Sequence, residues 1–110
     1  LYDTYECASL AAGSTISWGK LPKGARPVDF KVWTDDLGTG VTLTLGDSGD
    51  PDRLMVATDV ASAAALTGPV IADIDKFGGY EYTAETVITS LTAGGSATGT
   101  IHVYLFYVID

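Results

Sequence analysis

The aspartates of one short loop are the first residues of this chain whose spacing could support chemistry. Asp47, Asp50 and Asp52 lie within residues 46–52, and closely spaced carboxylates can supply the oxygen ligands that Ca²⁺ prefers. The loop lacks the length and the closing glutamate of an EF-hand loop, and aspartate is also a common turn residue because its side chain bonds to its own backbone. The sequence therefore predicts that these aspartates form turns and that the protein binds no metal or other cofactor. If a metal does bind, Asp47, Asp50 and Asp52 are the candidate ligands.

Two further polar side chains, Arg53 and His102, could also take part in chemistry. Arg53 directly follows Asp52. A local ion pair or a hydrogen bond to loop carbonyl groups is the favoured interpretation, and a contact with a partner is the alternative. His102 is the one histidine. A catalytic histidine needs a nucleophile and an orienting acid, and the sequence has no Gly-x-Ser-x-Gly motif to supply the nucleophile. We therefore predict no enzyme activity and place His102 in a packed or interface position.

Aromatic residues raise a different possibility, because their flat faces can stack on sugar rings. The more general explanation is that aromatics favour strands, cores and protein interfaces. Trp33 alternates away from Val28, Phe30 and Val32, so it is the best single candidate for an interface aromatic. The aromatic residues considered for a sugar platform are Trp18, Trp33, Tyr80, Tyr82, Tyr104, Phe106 and Tyr107.

The segment 101–109 is apolar on both faces of the strand that it predicts. Ile101, Val103 and Leu105 share one face, while His102, Tyr104 and Phe106 share the other. Such a strand is either central and covered on both sides, or its outer face meets another chain. The interface candidates are therefore Trp33, His102, Tyr104, Phe106 and Arg53. We expect self-association through aromatic surface that includes Trp33 and one face of the last strand, with a trimer favoured and a dimer open.

Turn residues divide the remaining sequence into short strands. Two hairpins are predicted, one joining 28–34 to 41–45 and one formed by 81–109. Seven or eight strands with polar turns predict an all-β fold, an antiparallel β-sandwich or jelly roll, with a small β-barrel as the alternative. The predicted elements are strands at 2–10, 15–19, 28–34, 41–45, 53–57 and 81–91, a final strand after a turn at 92–98, a loop at 20–27, a brief pairing at 70–74, a loop at 75–79 and a helical turn at 59–66.

Composition narrows the classes of protein to consider. The 110 residues fit one domain, residues 1–110, and a hydrophobic fraction of 46% excludes disorder. The net charge of −8 disfavours nucleic acid and anionic membranes as partners. No apolar run is long enough to span a membrane. Cys7 is the one cysteine, so it cannot form an internal disulfide, and we expect it to be buried.

Three segments carry a resemblance to a known group. Residues 41–57, where a strand runs into Gly-Asp-x-x-Asp-x-Asp-Arg and a second apolar strand, resemble small virion proteins of tailed bacteriophages. Residues 81–88 and 99–105 are similar to later strands of that group. The resemblance implies a decoration or cement protein that binds the outside of the phage capsid, has the major capsid protein as its partner and assembles in the bacterial cytoplasm. The alternative is a carbohydrate-binding module on a fibre or spike.

Overall fold

The protein is a sandwich of two antiparallel sheets. The computed structural model describes residues 1–58 and 65–109. The first sheet has the strand order β1-β8-β3-β6, and the second has the order β2-β7-β4-β5. The predicted β-sandwich is thus confirmed. The barrel alternative is wrong, because the pairings divide these strands into two unclosed sheets. The elements are β1 Tyr2–Leu10, β2 Thr15–Leu21, β3 Ala25–Thr34, β4 Thr42–Leu45, β5 Met55–Thr58, β6 Ala65–Thr67, α1 Ile71–Phe77, β7 Thr86–Ala93 and β8 Ala97–Ile109.

Both predicted hairpins are wrong, because the chain crosses between the sheets where a hairpin would turn back. β3 and β8 pair with each other in the first sheet, whereas β4 and β7 pair in the second. Alternation gives each strand one inward face but does not say which sheet the strand joins. The two crossing loops meet where Gly40 and Gly94 both have positive φ, and a Cβ at Gly94 would collide with the Gly40 carbonyl oxygen.

The core lies between the inward faces of the sheets. Ile101, Val103 and Leu105 of β8 are buried there, as the alternation predicts. Phe30 and Val32 of β3 are buried with them. Val28 was predicted to share their face, but its side chain is 55% exposed, because the register shifts between Pro27 and Asp29. A bulge of this kind adds one unpaired residue and reverses the alternation.

The β2–β3 connection is shorter than the predicted loop at 20–27. β2 continues to Leu21, and β3 begins at Ala25. A neighbouring segment supports this start: the backbone N–H of Tyr82 donates to the Ala25 carbonyl oxygen, and that of Gly24 donates to the Tyr82 carbonyl oxygen. Tyr82 is therefore bonded to the start of β3, and β7 begins only at Thr86, five residues later than predicted.

The segment predicted to pair briefly at 70–74 is instead the start of helix α1. The Asp73 side chain accepts hydrogen bonds from the backbone N–H groups of Val70, before the helix, and Val56, in β5. This carboxylate therefore holds the helix start against the sheet. The helix runs through Phe77, into the loop predicted at 75–79. The helical turn predicted at 59–66 lies outside the described residues except for its last two, which belong to β6.

Two smaller expectations concern Cys7 and membranes. Cys7 is buried, as predicted, and burial raises the pKa of its thiol. Among the described residues, no helix has the length and apolar character needed to cross a bilayer.

Candidate functional site

The aromatic residues of the last strand lie on the outer face of the first sheet. β8 is hydrogen-bonded between β1 and β3, and its register places Tyr104 opposite Tyr2 on one side and His102 opposite Trp33 on the other. Directly opposed side chains on one sheet face are close enough to touch. We call Tyr2, Trp33, His102, Tyr104 and Phe106 the aromatic face.

Ring stacking holds the aromatic face together. The Trp33 and His102 rings are nearly parallel, with centroids 4.4 Å apart and an interplanar angle of 7°. Trp33 also stacks on Tyr104 at 5.1 Å. Tyr104 continues the series to Tyr2 at 4.3 Å and to Phe106 at 6.3 Å. These contacts orient the rings as one patch, and such pairs contribute about 0.5–1.5 kcal/mol each beyond the area they bury.

The aromatic face is accessible to a partner. Phe106 is 47% exposed and Tyr2 is 49% exposed, while Leu105, next to Phe106 on β8, is 2% exposed. Segment 101–109 was expected either to be a central strand covered on both sides or to meet another chain with its outer face. The strand is central in its sheet, but none of the described residues covers its outer face. The structure thus brings four predicted interface residues together, and Arg53 is not among them.

Polar groups around His102 do not form a triad. Its Nδ1 atom lies 3.3 Å from the Tyr2 hydroxyl, and its ring lies against Trp33. Among the described residues, neither a serine, a cysteine nor a carboxylate is bonded to this imidazole. The side chain is therefore a member of the aromatic face.

Two shallow grooves adjoin the aromatic face. The first has a volume of about 590 Å³ and is lined by Lys31, Trp33, Thr34, Leu66, Tyr104 and Phe106. The second, of about 560 Å³, shares Lys31 and Leu66 and reaches to Ile74 of α1. Leu66 is 66% exposed, so the apolar surface continues from the aromatic face to the edge strand β6.

Carboxylates lie at the ends of the aromatic face. Glu6 is opposite Thr100 in the β1–β8 register, and Asp35 accepts a hydrogen bond from the Thr100 backbone N–H. Asp29 is opposite Phe106 at the other end. Glu6 and Asp35 are exposed, and Asp29 is half-buried. The face therefore has acidic residues at both ends. Its central rings are apolar, and the basic residue Lys31 lies beside them, opposite Tyr104.

The aspartate loop has a separate structural role, centred on the buried Asp47. Its carboxylate accepts hydrogen bonds from Arg53 Nε at 2.7 Å and from the Tyr82 hydroxyl at 2.9 Å. It also accepts the backbone N–H groups of Gly49 and Asp50. The Arg53 guanidinium lies 4.2 Å from the centre of the Tyr80 ring. The favoured ion-pair interpretation of Arg53 thus describes its contacts.

Electrostatics explain how a buried carboxylate stays charged there. Burial by itself would raise the pKa of Asp47, but the hydrogen bonds from Arg53, Tyr82 and the Asp50 backbone outweigh it and lower that pKa. Burial and the adjacent Asp47 carboxylate both raise the pKa of the Tyr82 hydroxyl. All these groups remain in the protonation states that suit their hydrogen bonds at neutral pH.

Asp50 and Asp52, the other two metal candidates, both form ion pairs with Lys76. Lys76 of α1 contacts Asp52 at 2.5 Å and Asp50 at 3.7 Å, and the hydrogen bond from Lys76 lowers the pKa of Asp52. Asp47 and Asp52 thus have separate cationic partners. In the part of the chain that the structure describes, no three His, Cys, Asp or Glu side chains cluster as metal ligands would.

Several aromatics considered for a sugar platform lie elsewhere. Trp18 is buried, and its indole N–H donates to Ser90 Oγ at 2.8 Å. Tyr82 is buried beside Asp47, and Tyr80 packs edge-on against it. Sequence reasoning missed Tyr2 and Leu66, because their place on the face depends on strand pairings that no local pattern encodes.

Comparison with known proteins gives fold-level matches to phage capsids. No protein-family model matches the sequence, and no curated protein matches it. A chain from the capsid of Ralstonia phage GP4 is similar over 100% of this chain and 83% of its own length, with a TM-score of 0.79 and 26% identity. A chain from the capsid asymmetric unit of cyanophage Pam1 is similar over 99% of this chain and 82% of its own length, with a TM-score of 0.74 and 23% identity. The resemblance to phage capsid-associated proteins is thus confirmed, and it supports a structural protein of the virion.

Proposed function

We propose that this protein is a non-enzymatic decoration, or cement, protein that binds the outside of a phage capsid and stabilises contacts between capsid subunits. The observation that carries the proposal is the whole-chain similarity to the GP4 capsid chain. The major capsid protein is the proposed partner. The coarser assignment to the virion rests on the same comparison, whereas the exterior position and cementing role are our proposal.

Binding alone would suffice for this function. A capsid shell fails where neighbouring subunits separate, and a protein bound across the seam favours the closed state by mass action. The contribution from each copy is small, but many copies act on one lattice. The structure suits a passive clamp, because the sheets bury a continuous core while one apolar face is left accessible.

A binding and stability assay tests the proposal. Heads of the source phage prepared without this protein would be incubated with it, sedimented and probed for bound protein. We expect saturable binding to the heads and a higher temperature of DNA release after binding. Absence of binding to intact heads, or binding with no change in DNA release, would contradict a cement role.

Carbohydrate binding is the second candidate, because Trp33, Tyr104 and Phe106 are stacked, with Tyr104 and Phe106 exposed and Trp33 half-buried. The flat side of an aromatic ring can pack on a sugar ring. A glycan array is the direct test: binding to defined glycans without affinity for capsids would favour the carbohydrate-binding module over the cement protein.

Self-association stays a prediction. A trimer would suit the three-fold positions of a capsid lattice, and its contacts would be heterologous, joining two different surfaces of adjacent copies. Sedimentation equilibrium at micromolar concentration measures the state, and a monomer at every concentration would contradict the predicted trimer.

A further inference from the structure

We infer that the aromatic face is the capsid-docking surface and that its occupant is an apolar segment of a capsid subunit flanked by lysine or arginine. This inference rests on the proposed function and deepens it, since it assigns the docking face and the chemistry of the partner.

The first argument is that this face resembles the centre of a protein interface. Interface cores are enriched in tryptophan, tyrosine and phenylalanine, and charged residues are displaced to the rim. Trp33, Tyr104 and Phe106 form such a centre, and the adjoining groove of about 590 Å³ can receive apolar side chains. The rings are already ordered by mutual stacking, so docking would immobilise few additional side chains.

The second argument is the charge of the rim. Glu6 and Asp35 lie beyond one end of the rings, and Asp29 lies at the other. Lys31 lies opposite Tyr104 on β3, inside this rim, so three carboxylates at the ends of the face outnumber one ammonium group within it. A partner with basic groups around an apolar centre would be complementary to this arrangement, and complementary charge increases both specificity and association rate.

The same charges disfavour a second copy of this chain as the occupant. A two-fold contact would place the same patch on both sides, which would bring Glu6, Asp29 and Asp35 of each copy together. Each copy also has a net charge of −8. The opposition of equal patches applies to a two-fold dimer. In a trimer the aromatic face would meet a different surface of the next copy, and there the net charge of each copy opposes the contact.

The outer face of the second sheet provides a matched control. Val87 lies on β7 next to the buried Ile88 and is 38% exposed, close to the exposure of Tyr104. Glu85 is exposed just before β7, near Lys20. Substituting these residues changes apolar area and charge without touching the aromatic face.

Affinity for phage heads prepared without this protein would be measured by co-sedimentation. We expect the double variant Tyr104→Ser and Phe106→Ser to bind about 30-fold or more weakly, as for central aromatic residues of interfaces, and Val87→Ser to bind like the original protein. Circular dichroism and thermal melting would show that each variant is folded. Undiminished binding by the folded double variant would overturn the docking assignment while leaving the cement function intact.

Salt dependence tests the charge of the partner. Affinity should fall as NaCl is raised from 50 to 500 mM, because salt screens exposed charges. Glu6→Gln combined with Asp35→Asn should weaken binding severalfold at low salt and flatten this dependence, whereas Glu85→Gln should do neither. An affinity that does not change with salt would overturn the basic character of the partner.

Sedimentation equilibrium separates the two occupants. If the chain self-associates and the double aromatic variant abolishes that association, the occupant is a second copy and the inference is wrong. If the unmodified chain does not bind heads at all, the proposed function fails, and the inference that rests on it fails too.

Discussion

The aspartate loop and the aromatic face are both dense clusters of side chains, but they use their interactions in opposite ways. In the loop, the Asp47 carboxylate is buried and accepts hydrogen bonds from Arg53, Tyr82 and two backbone N–H groups. On the aromatic face, the rings stack on one another, yet Tyr2 and Phe106 each remain about half exposed.

This difference separates a structural cluster from a binding surface. The polar groups of the loop are satisfied within the chain, so the loop has little left to offer a ligand. The stacked rings bury only part of their apolar area against one another. The remaining area is in contact with water, and burying it against a partner would be favourable. The unsatisfied cluster is therefore the better candidate for function.

The largest expected effect comes from two neighbouring residues of β8. Leu105→Asp should prevent folding, because a buried and unpaired carboxylate costs several kcal/mol, comparable to the whole stability of a small domain. Phe106→Asp should leave the fold intact, since that side chain is already 47% exposed. Far-UV circular dichroism and thermal melting compare the two. A soluble Leu105→Asp protein that melts cooperatively would refute the placement of this strand in the core.

Asp47→Ala tests the structural role of the aspartate loop. The change leaves the buried Tyr82 hydroxyl and the partly buried Arg53 without their acceptor, so we expect a loss of about 2–4 kcal/mol in the free energy of unfolding. Urea denaturation gives this value. Asp50→Ala is the control, expected to cost about 0.5 kcal/mol or less because its contact with Lys76 is long, at 3.7 Å, and partly open to solvent. Equal losses of stability from the two substitutions would contradict the special structural role of Asp47.

The same carboxylate should make stability depend on acid. Because the folded pKa of Asp47 lies below its usual value of 3.8, its contribution is complete above the unfolded pKa and is lost as pH falls through the folded pKa. The difference in unfolding free energy between the protein and Asp47→Asn should therefore be constant from pH 7 to 5 and shrink below about pH 4. A difference that grows on acidification would contradict this assignment.

Metal removal is expected to have the smallest effect. Chelation with EDTA should leave the melting temperature unchanged within about 1 °C and capsid binding unaltered, since no ligand that stabilises the native state is removed. A fall of several degrees that Ca²⁺ reverses would show that Asp47, Asp50 and Asp52 form a metal site.

Local sequence patterns were enough to predict the class of fold and four of the five residues of the aromatic face. Period-two alternation gives the inward face of β8 and, from Phe30 onward, that of β3, because side chains of a strand point alternately to either side. Residues 101–109 are apolar on both faces of their strand, and one core can cover only one of these faces. This indicated that Tyr104 and Phe106 lie on a second apolar surface. Local chemistry also favoured a contact of Arg53 within its own loop.

Strand pairing, and with it the set of apolar groups that face water, depends on long-range contacts. The predicted hairpins at 28–45 and 81–109 were wrong. Alternation shows that each strand has one inward face, but two consecutive strands can have such faces either as neighbours in one sheet or in opposite sheets across the core. Val28 was misplaced because a bulge reverses the alternation locally. Helix α1 depends on Asp73 contacting β5, a partner distant in sequence. The aromatic face likewise combines residues from β1, β3 and β8, and strand pairing alone places Tyr2 and Trp33 beside Tyr104, because such long-range contacts leave no local signal.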